Sequence, residues 1–456
     1  MKSNHIMNLI FIIFVYLVTL SSSKSIVKTL PGFDGDLPFT LETGYIGLGD
    51  DNEVQFFYYF VESSRDPVND PFLLYLTGGP GTSGLYPFLY QIGPLSINVY
   101  ASSWTNITLE TNPYSWAKTA NVLFLDLPAG VGFSYATTYE ASISSDSVLA
   151  VHSYEFLKKW LLEHPWFLNN PLYVTGISYM GILVPLVTLE VYEGNERGDE
   201  PHLNIKGSAI VSPLTDKFSD FNSRFEFAHR VALISDEIYE STKEACSGNY
   251  VYNDPSNTLC ANALQRVDEC TSGINMANIL DPLCDVVNPD PTCREAAEKY
   301  LKYWANNKKV QKALYVREGT VEMFEKTNET IHYDLKKNDT IVYSYDIFSS
   351  IIYHQQLLTK NCQVLILSGD HDMNFPYVGT EKWIRSLNLP VASPWNPWLV
   401  NDQVAGYRVT YTKDRYSLLY ATVKGAGHSI PLYKPEETWV ILDQWLASTS
   451  NSLSDS

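Results

Sequence analysis

The sequence predicts an α/β protein, with a mainly parallel central sheet, helices on both of its faces, and a cysteine-rich insertion. Three observations lead there. From about residue 54, short apolar runs bounded by turn residues alternate with stretches of helical periodicity. One run, Asn121–Asp126, is almost continuously apolar, as a strand buried on both faces must be. The alternation lapses after about residue 213 and resumes near residue 340, and polar residues, aromatics and five cysteines fill the gap.

Taken in order, Val54–Val61 and Phe72–Leu76 read as strands, and Asn121–Asp126 as a third. Residues 147–163 read as a helix, because Val151, Tyr154, Leu157 and Leu161 recur at three- and four-residue steps and Pro165 ends the run. Leu172–Thr175 is a further strand, followed by a helix over Ile182–Tyr192 that Gly194 closes. The strand–helix rhythm returns with Gln363–Leu367 and again with Leu418–Val423. The expected layout is a core over residues 24–212 and 341–447, a partly helical insertion or cap over 213–340, and a polar tail over 448–456.

The chain has 456 residues, 45% of them hydrophobic, which suits a packed protein. Its formal net charge of -19 argues against nucleic acid and anionic membrane surfaces as partners and is compatible with an acidic compartment. Residues 1–23 read as a secretory signal. Lys2 supplies the positive end, Leu9–Leu20 the apolar stretch and Ser21–Ser23 the small residues for cleavage. A membrane span needs about 20 apolar residues, more than this stretch provides. Three glycosylation sequons, at Asn106, Asn328 and Asn338, agree with that route. Among six cysteines, Cys246, Cys260, Cys270, Cys284 and Cys293 cluster and Cys362 stands apart. An oxidising compartment makes local disulfides the expectation, with Cys246, Cys260, Cys284 and Cys293 as candidates. Six cysteines allow 15 pairings, and spacing does not choose among them. The spacings hold no C-x-x-C pair and no histidine, which argues against zinc, and nothing points to a cofactor.

The sharpest local signal is Gly176-Ile177-Ser178-Tyr179-Met180-Gly181, a near match to G-x-S-x-G with one extra residue before the last glycine. It lies between a predicted strand and a predicted helix. A serine nucleophile must project from a tight turn with small neighbours, and the helix beginning there favours developing negative charge. A serine hydroxyl also needs a base. His428, in Gly425-Ala426-Gly427-His428 just after a predicted strand, is well placed to be that base. The orienting acid should precede the histidine in chain order, as it does in α/β-hydrolases. Ser368-Gly369-Asp370-His371-Asp372 offers two aspartates, and spacing leaves the choice open. An oxyanion hole needs fixed N–H donors. One is the amide of Tyr179, and another should come from the loop Thr77-Gly78-Gly79-Pro80-Gly81. That loop lacks the lysine and serine of a nucleotide-binding P-loop.

These pieces together resemble the serine carboxypeptidase family, and in particular its plant acyltransferase-like branch. The resemblance also includes Phe33-Asp34-Gly35, Glu42-Thr43-Gly44-Tyr45, Gly132-Phe133-Ser134-Tyr135 and Ile234-Ser235-Asp236-Glu237. It implies an α/β-hydrolase core with an inserted cap, a vacuolar destination, Asp372 as the triad acid, and the amides of Gly79 and Tyr179 as the oxyanion donors. It further implies that substrate meets Thr77, Gly78, Gln91 and Ile177. Three of these depart from the family's peptidases, where asparagine, glutamate and glutamate are usual at positions 77, 91 and 177 and grip the substrate's terminal carboxylate. Isoleucine can donate no hydrogen bond to a carboxylate, so exopeptidase action is expected to be weak. The acyltransferase branch instead loads the serine from a 1-O-acyl-β-glucose ester and releases the acyl group to an alcohol-type acceptor. That is the expected activity, with small-molecule donor and acceptor as partners. Removal of C-terminal amino acids by a carboxypeptidase is the alternative. Thr82 and Thr327 stand where that branch usually has two bonded cysteines.

Overall fold

The computed structural model describes residues 24–284 and 293–454. The signal expected over residues 1–23 lies outside them. The main sheet has 12 strands. Its main path uses β1 (Ser25–Val27), β2 (Leu41–Leu48), β3 (Val54–Val61), β4 (Phe72–Leu76), β5 (Asn121–Leu125), β6 (Leu172–Ile177), β7 (Ile205–Val211), β8 (Gln363–Gly369), β9 (Val391–Val400), β10 (Gln403–Lys413) and β11 (Tyr416–Val423). Their spatial order is β1-β2-β3-β5-β4-β6-β7-β8-β11-β10-β9. From β5 to β11 every neighbouring pair is parallel, and antiparallel strands flank this block on both sides. All of β4, β5 and β6 is buried, which is why those strands read as unbroken apolar runs rather than alternating ones.

Helices cover both faces. Against one face pack α1 (Asp146–Glu163) and α2 (Met180–Arg197), through Leu149, Phe156, Leu157, Trp160, Ile182 and Val187. Ser145 caps α1 by accepting the Val148 amide. Two details differ from the periodicity reading. Val151 is 54% exposed, because the buried stripe of α1 runs through Ala150, Ser153, Tyr154 and Leu157 instead. Gly198, at φ 80°, closes α2, four residues beyond Gly194. Gly194 lies within the helix, where a Cβ would meet the Tyr154 hydroxyl at 1.9 Å.

The region expected as one insertion packs in two places. Its first part forms α3 (Lys217–Arg230), α4 (Asp236–Cys246) and α5 (Thr258–Thr271), around Phe227, Ile234 and Val267. A disulfide between Cys246 and Cys260 ties α4 to α5, and Cys284 bonds to Cys293. Cys270 and Cys362 are free thiols. The second part forms α6 (Lys299–Ala305) and α7 (Lys308–Ala313). Tyr300, Leu301, Trp304 and Val310 enter the core on the sheet's other face, so they belong to the main body. The chain returns through α8 (Ile351–Leu357) and α9 (Tyr377–Ser386) and ends in α10 (Pro435–Ser454). The last helix thus takes in most of the expected polar tail, and it buries Trp445, Leu446 and Thr449. No helix among the described residues is long and apolar enough to cross a membrane.

Candidate active site

The chain runs from β4 to β5 on one side, then crosses to β6 on the other side of β4. Loops leaving β4 and β6 therefore diverge, and a crevice opens at their C-terminal ends, the usual ligand position in such sheets. Ser178 stands there, directly after β6. Its φ of 65° is left-handed, an uncommon state for a residue with a side chain. Neighbouring backbone holds it. The Ser178 amide donates to the Val211 carbonyl at 2.9 Å, and its own carbonyl accepts from Gly181 and Leu214, each at 2.9 Å. The flanking glycines have direct steric causes. A Cβ on Gly176 would lie 2.8 Å from the Met180 Cβ, and one on Gly181 would lie 2.4 Å from the Leu214 carbonyl oxygen.

Asp372 follows β8 and His428 follows β11, two neighbouring parallel strands. Their loops bring both side chains to Ser178. His428 Nε2 lies 2.8 Å from Ser178 Oγ, and His428 Nδ1 lies 2.8 Å from Asp372 Oδ2. Asp372 is fully buried, and its Oδ1 accepts the amides of Asn374 and Phe375. Asp370 points elsewhere, accepting the Gly425 amide at 2.7 Å and the His371 ring at 2.6 Å. The geometry thereby separates two aspartates that spacing left equivalent.

The glycine-rich loop after β4 meets the serine. A Cβ on Gly78 would fall 2.6 Å from the Ser178 Cβ, so only glycine fits. Among the described residues, the Gly79 and Tyr179 amides donate to no protein acceptor. Buried Asp126 anchors the loop's far end through Ser83 Oγ at 2.5 Å and the Gly84 amide at 2.8 Å. Burial pushes that carboxyl up to about 6. Asp126 also takes the Phe133 amide, and a Cβ on Gly132 would strike its carboxylate, which accounts for the Gly132-Phe133-Ser134 segment.

These groups line a cleft of about 740 Å³. Thr77, Gly78, Gln91 and Ile177 all line it. The Thr77 hydroxyl is buried and without a partner among the described residues. Gln91 accepts the Tyr75 hydroxyl at 3.1 Å and reaches Ser429 Oγ at 3.5 Å. Ile177 is only 3% exposed. Of the sequon asparagines, Asn106 and Asn338 are exposed, whereas Asn328 is half-buried and donates its Nδ2 to the Gly130 carbonyl.

Several supporting residues carried no sequence signal. Residues 276–279 of the insertion clasp both loops: His428 donates its amide to Ala277, Met373 to Met276, and Ile279 to His371. A Cβ on Gly427 would lie 2.2 Å from the Ala277 carbonyl oxygen, so the approach itself demands that glycine. Behind Tyr179, buried Asp146 accepts the hydroxyls of Tyr179 and Tyr343 and the Ile347 amide. Lys217 lies over the rings of Tyr179, Tyr333 and Tyr345, 4.8–5.7 Å from their centres. Burial raises the Asp146 carboxyl to about 6 and lowers the Lys217 ammonium from its ordinary value.

A family model described as serine carboxypeptidase matches residues 31–448. The chain belongs to the serine carboxypeptidase family. Relatives in Arabidopsis thaliana span almost the same length. Serine carboxypeptidase-like 16 is 45% identical over 427 residues, covering 94% of each chain. Serine carboxypeptidase-like 7 is 42% identical, covering 96% of this chain and 97% of its own. A prohormone-processing carboxypeptidase from Saccharomyces cerevisiae shares the fold at a TM-score of 0.74 and 19% identity, covering 94% of this chain and 97% of its own. The family match thus spans residues 31–448, and the α/β-hydrolase fold is shared.

Proposed function

We propose that this chain is a secretory-route acyltransferase that moves an acyl group from a 1-O-acyl-β-glucose ester to an alcohol-type acceptor, in a vacuolar or extracellular setting. Ser178 is the nucleophile, His428 the base and Asp372 the residue that orients and supports His428. Ser178 Oγ attacks the ester carbonyl while His428 Nε2 takes its proton. The amides of Gly79 and Tyr179 hold the developing oxyanion, each worth about 3 kcal/mol in such sites. The tetrahedral intermediate expels glucose, which takes the proton from His428. An acceptor hydroxyl then gives its proton to His428 and attacks the acyl-serine. The product ester leaves, and Ser178 regains its proton.

Ile177 carries the preference for transfer over peptide trimming. Its buried apolar side chain occupies the cleft position where the resemblance to the family's peptidases implies a carboxylate grip. A peptide's terminal carboxylate desolvated against it without partners would cost several kcal/mol. A neutral sugar ester carries no such charge.

Purified protein is offered an N-blocked dipeptide and, separately, an acyl-glucose with candidate alcohols. Ester formation without efficient amino-acid release supports the proposal. Efficient release of C-terminal amino acids with no transfer would instead establish the carboxypeptidase reading. A serine-directed fluorophosphonate should label the wild type and leave Ser178→Ala unlabelled, and equal labelling of both would remove the nucleophile assignment.

A further inference from the structure

A second cavity of about 490 Å³ opens from the catalytic cleft into the insertion. Phe221, Arg224, Asp268, Met276, Leu335 and Lys336 line both spaces and form the neck between them. Beyond the neck the wall is mostly apolar: Phe225, Tyr250, Val251, Leu264, Val267 and Met373. Asp268 and Lys336 on the neck, and Ser272 beyond it, are exposed to solvent.

The wall is built rather than incidental. The disulfide between Cys246 and Cys260 pins α5, which carries Leu264 and Val267, to α4. Tyr250 is fixed to α3 by its amide, which donates to Asn222 Oδ1 at 2.7 Å, and by stacking on Phe225 at 4.2 Å. Arg224 is held by donating Nε to the Asn374 carbonyl, with its guanidinium over the Phe221 ring. An aromatic path joins this cavity to the nucleophile. His428 meets Phe375 at 5.4 Å, and Phe375 meets Phe221 at 5.8 Å. Elsewhere the cleft is lined by Thr77, Gln91, Glu298, Lys326 and Ser429, side chains suited to hydroxyl groups.

Resting on the acyl-serine reading, we infer that the side cavity receives the acyl group and that the enzyme selects donors whose acyl part is an extended apolar chain or ring of roughly six or more carbons. Its volume is in the range of ordinary small-molecule sites. A short acyl group such as acetyl cannot reach past Phe221 into it. The carbonyl stays at Ser178, the sugar remains among the polar groups, and the apolar body passes the neck.

The measurement is the ratio of kcat/KM for p-nitrophenyl octanoate to that for p-nitrophenyl acetate. Each buried methylene is worth about a fourfold gain, so the wild type should favour octanoate by at least about 100-fold. Leu264→Trp, which fills the cavity from its half-exposed wall, should lower that ratio by about tenfold or more, with folding verified by circular dichroism. A wild-type ratio near one, or a ratio unmoved in Leu264→Trp, overturns the inference. If the wild type turns over neither ester, the acyl-serine reading falls and the cavity is judged by binding alone. Free octanoate should then raise the Tm of Ser178→Ala and not that of Ser178→Ala with Leu264→Trp, and an equal response in both overturns the cavity assignment as well.

Discussion

Thr82 Oγ1 lies 3.0 Å from Thr327 Oγ1, in an antiparallel bridge that joins the glycine-rich loop to the segment closing over it. The flanking bonds run from the Ser83 amide to the Lys326 carbonyl and from the Asn328 amide to the Gly81 carbonyl. This is the non-hydrogen-bonded type of antiparallel pair, whose Cα atoms approach to about 4.5 Å, within disulfide range. The double variant Thr82→Cys/Thr327→Cys should therefore oxidise without rearrangement and gain about 2–4 kcal/mol. Thermal unfolding with and without reductant checks it. A Tm that does not fall on reduction, with no free thiols beforehand, would show the crosslink to be strained.

The two aspartates after β8 should separate cleanly on substitution. Asp372→Asn removes the acceptor opposite His428 Nδ1, and kcat should drop by about 10⁴. Asp370→Asn replaces a group that accepts the Gly425 amide, away from Ser178, so its main effect should be a lower Tm with kcat within about tenfold of wild type. Ester turnover and calorimetry on both variants test this, and comparable losses of kcat would contradict the geometry.

The pH dependence of stability follows from three buried carboxyls. Burial lifts Asp126 to about 6, Asp146 to about 6 and Asp220 to about 7, from an ordinary 3.8. The folded state thus binds these protons more tightly than the unfolded chain. Their contribution is fully present below about pH 4 and is lost as pH rises through 6 to 7. A rise from 3.8 to about 6 corresponds to roughly 3 kcal/mol per group. Repulsion within a chain of net charge -19 acts in the same direction. Scanning calorimetry should show a higher Tm at pH 5 than at pH 7.5, and Asp126→Asn should flatten the slope. A Tm that climbs steadily to pH 7.5 would contradict this.

Glycan occupancy should follow exposure. Asn106 and Asn338 present open side chains, whereas the Nδ2 that a glycan would take on Asn328 is bonded to Gly130 O. In protein expressed through a eukaryotic secretory route, peptide mapping should find Asn106 and Asn338 occupied and Asn328 largely bare. Full occupancy at Asn328 would mean that the Gly130 contact forms only after modification, or not at all.

The core strands, the turn bearing Ser178 and the loop bearing Gly78 were legible because their causes are local. A strand buried on both faces must be apolar throughout, and a turn with no room for Cβ atoms must carry glycine. The same local reading misplaced the end of α2, because Gly194 answers to Tyr154, forty residues away, and not to helix termination. It also counted Val151 as core, since periodicity names a face without saying what lies against it.

What the sequence alone determined was six strands of the sheet, the strand–turn–helix around Ser178, and the order serine, acid, histidine along the chain; Ser25–Val27, Leu41–Leu48, Ile205–Val211, Val391–Val400 and Gln403–Lys413 were not read from it. Spacing left the two aspartates equal and the family resemblance favoured Asp372, which the tertiary structure places against His428; tertiary structure alone decided which cysteines are joined and that residues 276–279 brace both loops. It alone also split the inserted region between the cap and the main core. Backbone sterics and burial act over a few consecutive residues and leave a pattern in them. Contacts between segments separated by tens to hundreds of positions depend on how packed elements meet, and no short run of residues encodes that.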